Sequence, residues 1–337
     1  MFPHMEPKRY SVAIIIPAYN AEQTLKNTVD SVLAQTLQSI QIIIVDDGSS
    51  DKTPVIADEF DANESRVTVI HQKNHGGYAA RLAGLKLMNA SYFGFVDADD
   101  TIDPKMYETL VNYAVQHNLD IVQCGVVGRR DNDQTFEILD EDAFKERIVR
   151  KILLQGDGAV LVWDKLYRNQ YDFDKFADGD FVQWDDLALN LYFFQNVHVY
   201  GIIHKGFYIY NTRNETSVTR RYNPLTLHWY HEIIKWRRSV ATISFNMSEY
   251  DDALWIMRSA RNLFVMMSYV YFSSWVKRYN SVCELIQMPE VVNAHAVLRQ
   301  RLSFSSRILA FWFFSTRFTG LMVVLIFCLK KIQQCRK

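Results

Sequence analysis

The chain has 337 residues, of which 49% are hydrophobic and 22% are charged, so it can bury a sizeable core in about two domains. With 13 glycines and 7 prolines, its composition excludes a fibrous or low-complexity protein. The formal net charge of −1 argues against a general nucleic-acid binder.

The first 120 residues alternate short apolar runs with segments of helical periodicity. We expect a helix after an N-cap at Asn20 and another that opens with Thr53 and Pro54. The apolar runs predict buried strands over 12–16, 40–45, 66–71 and 92–96. Strands that alternate with helices predict an α/β fold with a doubly wound, mainly parallel sheet.

After about residue 120 the alternation weakens. Segment 121–127 predicts a strand and 141–155 a helix, whereas 163–210 mixes aromatic and acidic residues and is expected to be irregular. Beyond Pro224 two segments carry helical periodicity. We therefore predict a catalytic domain over 1–220, a helical region over 221–300 and an apolar, basic tail over 301–337.

The cellular compartment follows from cysteine usage and the N-terminus. The four cysteines form no CxxC pair and no zinc-binding pattern, which favours a reducing cytosol. Residues 1–11 contain no apolar segment of the kind found in signal peptides. We therefore expect a cytoplasmic protein.

Polar and acidic side chains directly follow three of the predicted strands, at 18–20, 46–51 and 97–100. Because ligands of open α/β sheets bind outside the carboxyl ends of strands, we expect these clusters to lie on one rim. Asp97 and Asp99 offer two carboxylates that suit a hard cation such as Mg²⁺ or Mn²⁺. Such a cation leaves coordination positions for substrate phosphates, so we expect a phosphate-bearing substrate.

Two alternatives exist for the acidic segment. Residues 97–108 carry acidic side chains at the spacing of an EF-hand calcium loop. However, Ile102 stands where that loop needs glycine, and a strand rather than a helix precedes the segment. The acids could also be ordinary solvated loop residues.

Four motifs in this order, IIIPAYN, IIIVDDGSSD, GGYAARLAG and FVDADD, resemble glycosyltransferase family 2. The resemblance covers about residues 10–220. It implies a GT-A fold, here followed by a C-terminal helical region. It also implies transfer of a sugar from a nucleotide donor, with inversion at the sugar carbon.

The resemblance implies a pocket for the nucleotide base at the first two strands. Pro17, Ala18 and Tyr19 would line this pocket. Asp46 or Asp47 would accept a hydrogen bond from the base, most often uracil.

The resemblance also implies a site for the rest of the donor. Asp97 would bind the ribose hydroxyls or support the metal, and Asp99 would ligate the metal that bridges the donor diphosphate. Ala98 lies between them in the same site, and Arg81 could reach the nucleotide or its diphosphate. A surface salt bridge is the alternative for Arg81.

Direct displacement at a sugar carbon needs a base that deprotonates the acceptor hydroxyl. The family places it in an acidic pair before a helix, and here that pair is Asp185 and Asp186. Asp186 is the first choice and Asp185 the second. Their adjacency could raise one pKa, which would suit a base near neutrality. The alternative is an N-cap and a first-turn acid that favour the helix dipole.

Other side chains are weaker candidates. Arg213 and Arg220 could reach the diphosphate as it leaves, and His204 could contact the metal or the leaving group. Trp163 and Tyr210 fit either core aromatics or platforms on which a sugar stacks.

The C-terminal tail is the most apolar part of the chain. As one helix, residues 308–329 would be about 33 Å long, nominally enough to cross a bilayer, but Arg317 lies near the middle. An interfacial or re-entrant membrane helix, a core helix and a membrane span are the alternatives. Eight Lys or Arg and no acidic residue follow Glu290, which favours an anionic membrane surface. We expect peripheral association with the cytoplasmic membrane.

The sequence as a whole predicts an inverting, metal-dependent glycosyltransferase. Its donor would be a UDP-sugar and its acceptor a saccharide or lipid-linked saccharide, used in surface polysaccharide synthesis. A sugar nucleotidyltransferase usually needs a Gly-rich basic loop after the first strand, where this chain has PAYNAEQ. A catalytically silent membrane-bound scaffold is disfavoured by the intact set Asp97, Asp99 and Asp186. Nucleic acid is not expected as a partner, and the oligomeric state stays open, a homo-oligomer included.

Overall fold

The structure is a computed structural model. It describes residues 9–128, 135–155, 161–176, 184–212, 225–244, 247–270 and 275–299. The chain forms two compact units, Met1–Arg147 with Val160–Asn214 and Ile148–Ala159 with Glu215–Lys337. The expectations for Arg213, Arg220 and the tail over 301–337 fall outside the described residues.

Strands and helices alternate in the first part of the chain: β1 (Tyr10–Ala18), α1 (Leu25–Leu33), β2 (Ile40–Asp46), α2 (Thr53–Asn63), β3 (Val67–His71), α3 (Gly76–Leu87), β4 (Ala90–Phe95), β5 (Thr101–Ile102), α4 (Met106–Gln116), β6 (Ile121–Val126) and β7 (Phe136–Asp140). The following elements are more mixed: α5 (Glu141–Phe144), a π-helical segment (Lys145–Val149), α6 (Arg150–Gln155), β8 (Lys165–Arg168), α7 (Asp185–Phe193) and β9 (Val199–Ile209). Four helices come last: α8 (Thr226–Ser244), α9 (Glu249–Val270), α10 (Trp275–Gln287) and α11 (Pro289–Arg299).

The strands of the first unit form one sheet in the order β3-β2-β1-β4-β8-β6-β9-β5, and β7 pairs with β9. Strands β1 to β4 are parallel to one another, and β6 is parallel to β9. Strand β8 runs antiparallel to both β4 and β6, so β6 and β9 point the same way as β4. The predicted mainly parallel sheet is therefore confirmed, and the carboxyl ends of its parallel strands share one edge.

The central strands are wholly apolar because helices cover both faces of a parallel sheet. Ile14 of β1 pairs in register with Ile42 of β2, and both are fully buried. Ile15 and Ile43, which point to the opposite face, are buried as well. The core therefore lies on both sides of β1 and β2, and it holds the ends of these strands in fixed positions.

The predicted N-cap at Asn20 is wrong. Asn20 has a φ of 49° and its side-chain oxygen accepts a hydrogen bond from the Ser50 amide at 2.8 Å, while α1 begins only at Leu25. Asparagine tolerates the left-handed region better than most residues, so it suits a turn that the neighbouring loop holds. The side chain thus joins two loops at the carboxyl edge instead of starting a helix.

The expectation of an irregular segment over 163–210 is also wrong in part. This segment contains β8, α7 and the eleven-residue strand β9. Many of its aromatic side chains pack against one another, as Tyr167 and Phe193 do with ring centroids 4.7 Å apart. Since these elements are buried on more than one face, neither the helix nor the strand shows a clear periodicity in its sequence.

Among the residues that the structure describes, the second unit contains α6 and the helices α8 to α11. Arg237 of α8 is fully buried, pairs with Asp252 of α9 and lies 4.4 Å from the ring centroid of Trp255. A buried guanidinium needs such a partner because an unpaired buried charge is costly. Within the part of the chain that the structure describes, no helix is both long and apolar enough to cross a membrane.

Gly94 of β4 lies directly against the ring of Tyr107 on α4. A Cβ atom at Gly94 would be 2.5 Å from the Tyr107 hydroxyl oxygen. Tyr107 is fully buried, and no described residue hydrogen-bonds to its hydroxyl. The close approach of α4 to the sheet is therefore possible because Gly94 has no side chain.

We expect Gly94→Ala to lower the free energy of unfolding by about 1–3 kcal/mol, because the added methyl overpacks this contact. Tyr107→Phe removes the nearest atom, so the double variant should regain part of the loss. Val115→Ala on α4, where the residue is 65% exposed, is the control and should change stability by less than about 0.5 kcal/mol. Chemical denaturation measures the wild type, the two single variants, the double variant and the control. A Gly94→Ala variant as stable as the wild type would contradict this packing.

Candidate active site

The side chains that follow β1, β2 and β4 lie along the shared carboxyl edge of the sheet. In register, Ala18 of β1 pairs with Asp46 of β2, and the Asp47 amide donates to the Ala18 carbonyl at 2.8 Å. Strand β4, which carries Asp97 just beyond its end, pairs with the other side of β1. The sheet therefore brings the three predicted clusters to one rim, as the sequence indicates.

Arg81 of α3 joins this rim to the predicted acidic pair. Its Nη2 donates to Asp97 Oδ1 at 2.6 Å, and its Nη1 donates to Asp185 Oδ2 at 2.5 Å. Nη2 also lies 3.8 Å from Oδ1 of Asp186. Arg81 is 6% exposed, so the alternative of a surface salt bridge is wrong. One guanidinium thus contacts carboxylates from two motifs that are almost 90 residues apart in sequence.

Burial and neighbouring charges both shift the pKa values of the side chains in this cluster, in part in opposite directions. Burial by itself lowers the pKa of Arg81, but the carboxylates of Asp185 and Asp97 outweigh it and raise the pKa above its ordinary value. Burial raises the pKa of Asp97 even though Arg81 opposes the shift. Burial, and next the charge of Asp185, raise the pKa of Asp186 well above its ordinary value. The cluster therefore holds more negative charge than Arg81 offsets.

The acidic pair stands in the first turn of α7. Trp184 precedes the helix with a φ of 65°, so neither acid is the N-cap, but both lie where the helix dipole favours negative charge. Asp185 is bound to Arg81, whereas no donor among the described residues hydrogen-bonds to Oδ1 of Asp186, which is buried. The two neighbouring acids thus differ in their partners, and only Asp185 is hydrogen-bonded to Arg81.

Asp100 has a structural role that the sequence does not indicate. It is 1% exposed, and its two carboxylate oxygens accept hydrogen bonds from the Asn211 amide at 2.7 Å and the Tyr208 hydroxyl at 2.8 Å. Its carbonyl accepts from the hydroxyl of Thr28 at 2.8 Å. Burial raises the pKa of Asp100 to about 7. Asp100 thus fixes the Asp97–Asp100 loop to the end of β9.

Asp47 fixes the start of α3. Its Oδ1 accepts from the Gln72 amide group at 2.8 Å and from the His75 backbone at 2.9 Å, and its Oδ2 accepts from the Gly76 backbone at 2.7 Å. Because Arg81 follows on the same helix, Asp47 also positions the guanidinium. An Asp-Gly sequence is typical of a turn, and nothing in it indicates this contact with a helix.

Asp46 has different partners. Its Oδ1 accepts from the Ser49 backbone at 3.1 Å, and its Oδ2 lies 3.0 Å from Nδ1 of His71. Hydrogen bonds to Asp46 and Asp58 raise the pKa of His71. That Asp46 or Asp47 binds a base stays a prediction.

The remaining candidates lie at several places in the first unit. Tyr19 is 48% exposed, next to the half-buried Pro17 and the buried Ala18. Ala98 is buried between the two candidate metal ligands. His204 on β9 pairs with Glu137 of β7 at 2.7 Å. Trp163 is a core residue at 4% exposure.

Asp97 and Asp99 are the candidate ligands of a divalent cation. Within the described residues, no group of three or more His, Cys, Asp or Glu side chains could hold a metal ion. Two carboxylates fit Mg²⁺ or Mn²⁺ if substrate oxygens and water complete the coordination. The charge of Asp99 contributes to the raised pKa of Asp97, so a cation beside this pair would be favourable. The residues therefore fit a metal that binds together with a phosphate-bearing ligand.

The chain is similar to known proteins in both sequence and structure. Residues 13–177 match the profile of "Glycosyl transferase family 2". The chain is 33% identical over 219 residues to the uncharacterized glycosyltransferase EpsJ of Bacillus subtilis (62% of each chain). It is 30% identical over 251 residues to the uncharacterized glycosyltransferase YibD of Escherichia coli (71% of this chain and 72% of YibD). The match to EpsJ thus covers less than two thirds of the length of EpsJ.

The fold resembles that of Staphylococcus aureus TarS 1–349, whose crystal structure in complex with UDP-GlcNAc matches with a TM-score of 0.63. The match covers 93% of this chain and 89% of the TarS chain at 17% sequence identity. At this identity the likeness shows the fold. Together with the sequence relatives, it leads to one conclusion: the chain belongs to glycosyltransferase family 2 and has a GT-A type fold.

Proposed function

We propose that the chain transfers a sugar from a UDP-sugar to a hydroxyl of a saccharide acceptor, with inversion at the sugar carbon and with a divalent cation. The observation that carries this proposal is the position of Arg81 between Asp97 and Asp185. Arg81 contacts Asp97 and Asp185, and it lies 3.8 Å from Asp186. This arrangement supports the proposal because a direct displacement needs donor and base close together.

The donor is proposed from two kinds of support. TarS 1–349, which shares the fold, has been crystallised in complex with UDP-GlcNAc and with UDP. In this chain, Tyr19 is exposed beside the ends of β1 and β2, where a base could stack on its ring. We assign the base to this side of the rim and the diphosphate to the Asp97–Asp99 loop.

Asp99 and Asp97 would hold Mg²⁺ or Mn²⁺ through their carboxylate oxygens. When bound, the cation would neutralise the diphosphate and stabilise it as a leaving group. Arg81 binds Asp97 through Oδ1 and so orients this carboxylate. Its other Nη group is engaged by Asp185, which argues for an orienting role in place of the diphosphate contact expected from the sequence.

Asp186 would act as the general base. The acceptor oxygen attacks the sugar carbon while the bond from that carbon to the diphosphate breaks, and the hydroxyl proton passes to Asp186. Arg81 pairs with Asp185, and the negative charge of Asp185 helps to make Asp186 a stronger base. The raised pKa of Asp186 therefore suits its proposed task.

The acceptor is proposed to be lipid-linked, and the enzyme to act in surface polysaccharide synthesis at the cytoplasmic face of the membrane. The support is the sequence after Glu290, which combines eight basic residues with a long apolar stretch. Basic residues close to an apolar segment bind anionic lipid headgroups.

We expect UDP with Mn²⁺ to raise the melting temperature of the wild type, because ligand at about 100 times its Kd stabilises a protein by about 2.7 kcal/mol. Asp99→Asn should lose most of this shift. Asp61→Asn, which changes an exposed acid on α2, is the control and should keep it. Thermal unfolding with and without EDTA provides the measurement. An equal shift for Asp99→Asn would refute the metal site.

We expect the rate of UDP release to rise with pH in a range above that in which an ordinary aspartate titrates, because a base must be deprotonated and burial raises the pKa of Asp186. Asp186→Asn should lower the rate by about 10²–10⁴-fold and remove this rise. A donor screen that follows UDP release supplies the assay, and release of pyrophosphate would instead indicate a nucleotidyltransferase. Full turnover of Asp186→Asn would show that the base lies elsewhere.

A further inference from the structure

Three aromatic side chains at the end of β9 form a continuous stack. The ring of Trp163 is 4.0 Å from that of Tyr208 and 5.9 Å from that of Tyr210, with interplanar angles of 24° and 16°. Tyr208 is fully buried and Trp163 is 4% exposed, whereas Tyr210 is 48% exposed. The stack therefore begins in the core and ends at the surface with an aromatic ring.

One end of the stack is fixed to the Asp97–Asp100 loop. The Tyr208 hydroxyl donates to Asp100 and accepts from the Asp97 amide at 3.1 Å. The Asn211 amide, directly after Tyr210, donates to the other oxygen of Asp100. Tyr210 thus lies between two residues that are both bound to the Asp100 carboxylate, and its backbone is held beside the proposed metal ligands.

The segment that carries Trp163 also contacts α7, the helix on which the acidic pair lies. Leu161 lies two residues before Trp163. Its carbonyl accepts a hydrogen bond from the buried ammonium group of Lys165 and another from the side-chain amide of Asn190 at 3.2 Å. Asn190 lies on α7, four residues after Asp186, and therefore on the same face of the helix. The stack is thereby tied to the helix that carries the proposed base.

The order of the strands separates this surface from the proposed base pocket. Strand β1, which ends at Tyr19, lies on one side of β4, whereas β8, β6 and β9 lie on the other side. Because β9 runs parallel to β6 and hence to β4, its carboxyl end reaches the same edge as Asp97. Tyr210 is therefore on the rim of the site, on the side of β4 away from Tyr19.

We propose that the exposed face of Tyr210 is a subsite on which a pyranose ring of the acceptor packs. This inference rests on the proposed function, which assigns the nucleotide to the β1 and β2 side. An uncharged sugar ring presents C–H groups on its flat face and fits an aromatic ring, whereas its hydroxyls stay free to face water or the base. The buried Trp163 supports the ring from behind and fixes its orientation; it does not itself contact sugar.

The test compares Tyr210→Ala and Tyr210→Phe with Ile209→Ala in the full chain. Ile209 is 42% exposed and precedes Tyr210, so its side chain points to the opposite face and makes a matched control. Saturation-transfer NMR measures the binding of methyl glucoside, methyl galactoside and methyl N-acetylglucosaminide, with and without UDP and Mn²⁺. Calorimetry measures the binding of UDP with Mn²⁺ to each variant. Tyr19→Ala is included as a variant that is expected to bind UDP more weakly.

We expect at least one of the three pyranosides to bind the wild type. Tyr210→Ala should weaken this binding by roughly fivefold to tenfold, the equivalent of one aromatic contact, while Tyr210→Phe and Ile209→Ala keep it. UDP should bind to Tyr210→Ala as it does to the wild type. Unchanged pyranoside binding in Tyr210→Ala, or no pyranoside binding to the wild type, would overturn the subsite. Failure of the wild type to bind UDP would instead overturn the proposed function. The two failures can be told apart because pyranoside binding is also measured in the absence of UDP.

Discussion

The ion pairs of Arg81 hold the candidate site together. This buried guanidinium pairs with Asp97 after β4 and with Asp185 at the start of α7, and it lies near Asp186. A buried carboxylate without a partner is costly, so each acid depends on Arg81 and Arg81 depends on them. The planar fork of arginine can bind two carboxylates at once in a fixed geometry. The distance between the proposed donor loop and the proposed base is therefore set by one side chain.

Two further carboxylates keep the site rigid without a proposed part in the chemistry. Asp47 binds backbone amides at the start of α3 and so fixes the helix that carries Arg81. Asp100 binds Tyr208 and the Asn211 amide and so fixes the loop of Asp97 and Asp99 to β9. The acidic residues after β2 and β4 thus have two kinds of role: some face the proposed ligand, and their neighbours hold the backbone. This division explains why so many negative charges follow two core strands.

Much of this architecture could be predicted from the sequence, because wholly apolar runs such as those of β1 and β2 have few other uses. The motif order also indicated the family, and the place of Asp185 and Asp186 at a helix start. The contacts of Arg81 could not be predicted, since its partners lie far away in sequence and only the packing of α3 and α7 brings them close. The structural roles of Asp47 and Asp100 were missed because their partners are backbone amides and the side chains of Gln72 and Tyr208, which no pattern near these acids indicates. The strand β9 was missed because it is buried among aromatic residues and shows no alternation.

The most direct test of this account is the turnover of Arg81→Lys, followed as UDP release, with Lys86→Arg on the exposed face of α3 as the control. Lysine keeps the charge but is a single point charge and cannot bridge two carboxylates as the guanidinium does. The account predicts a loss of at least about 100-fold in turnover for Arg81→Lys, as is typical when reacting groups are displaced by about 1 Å, with a folded protein and an unaffected control. Wild-type turnover in Arg81→Lys would contradict the claim that this guanidinium sets the geometry of the site.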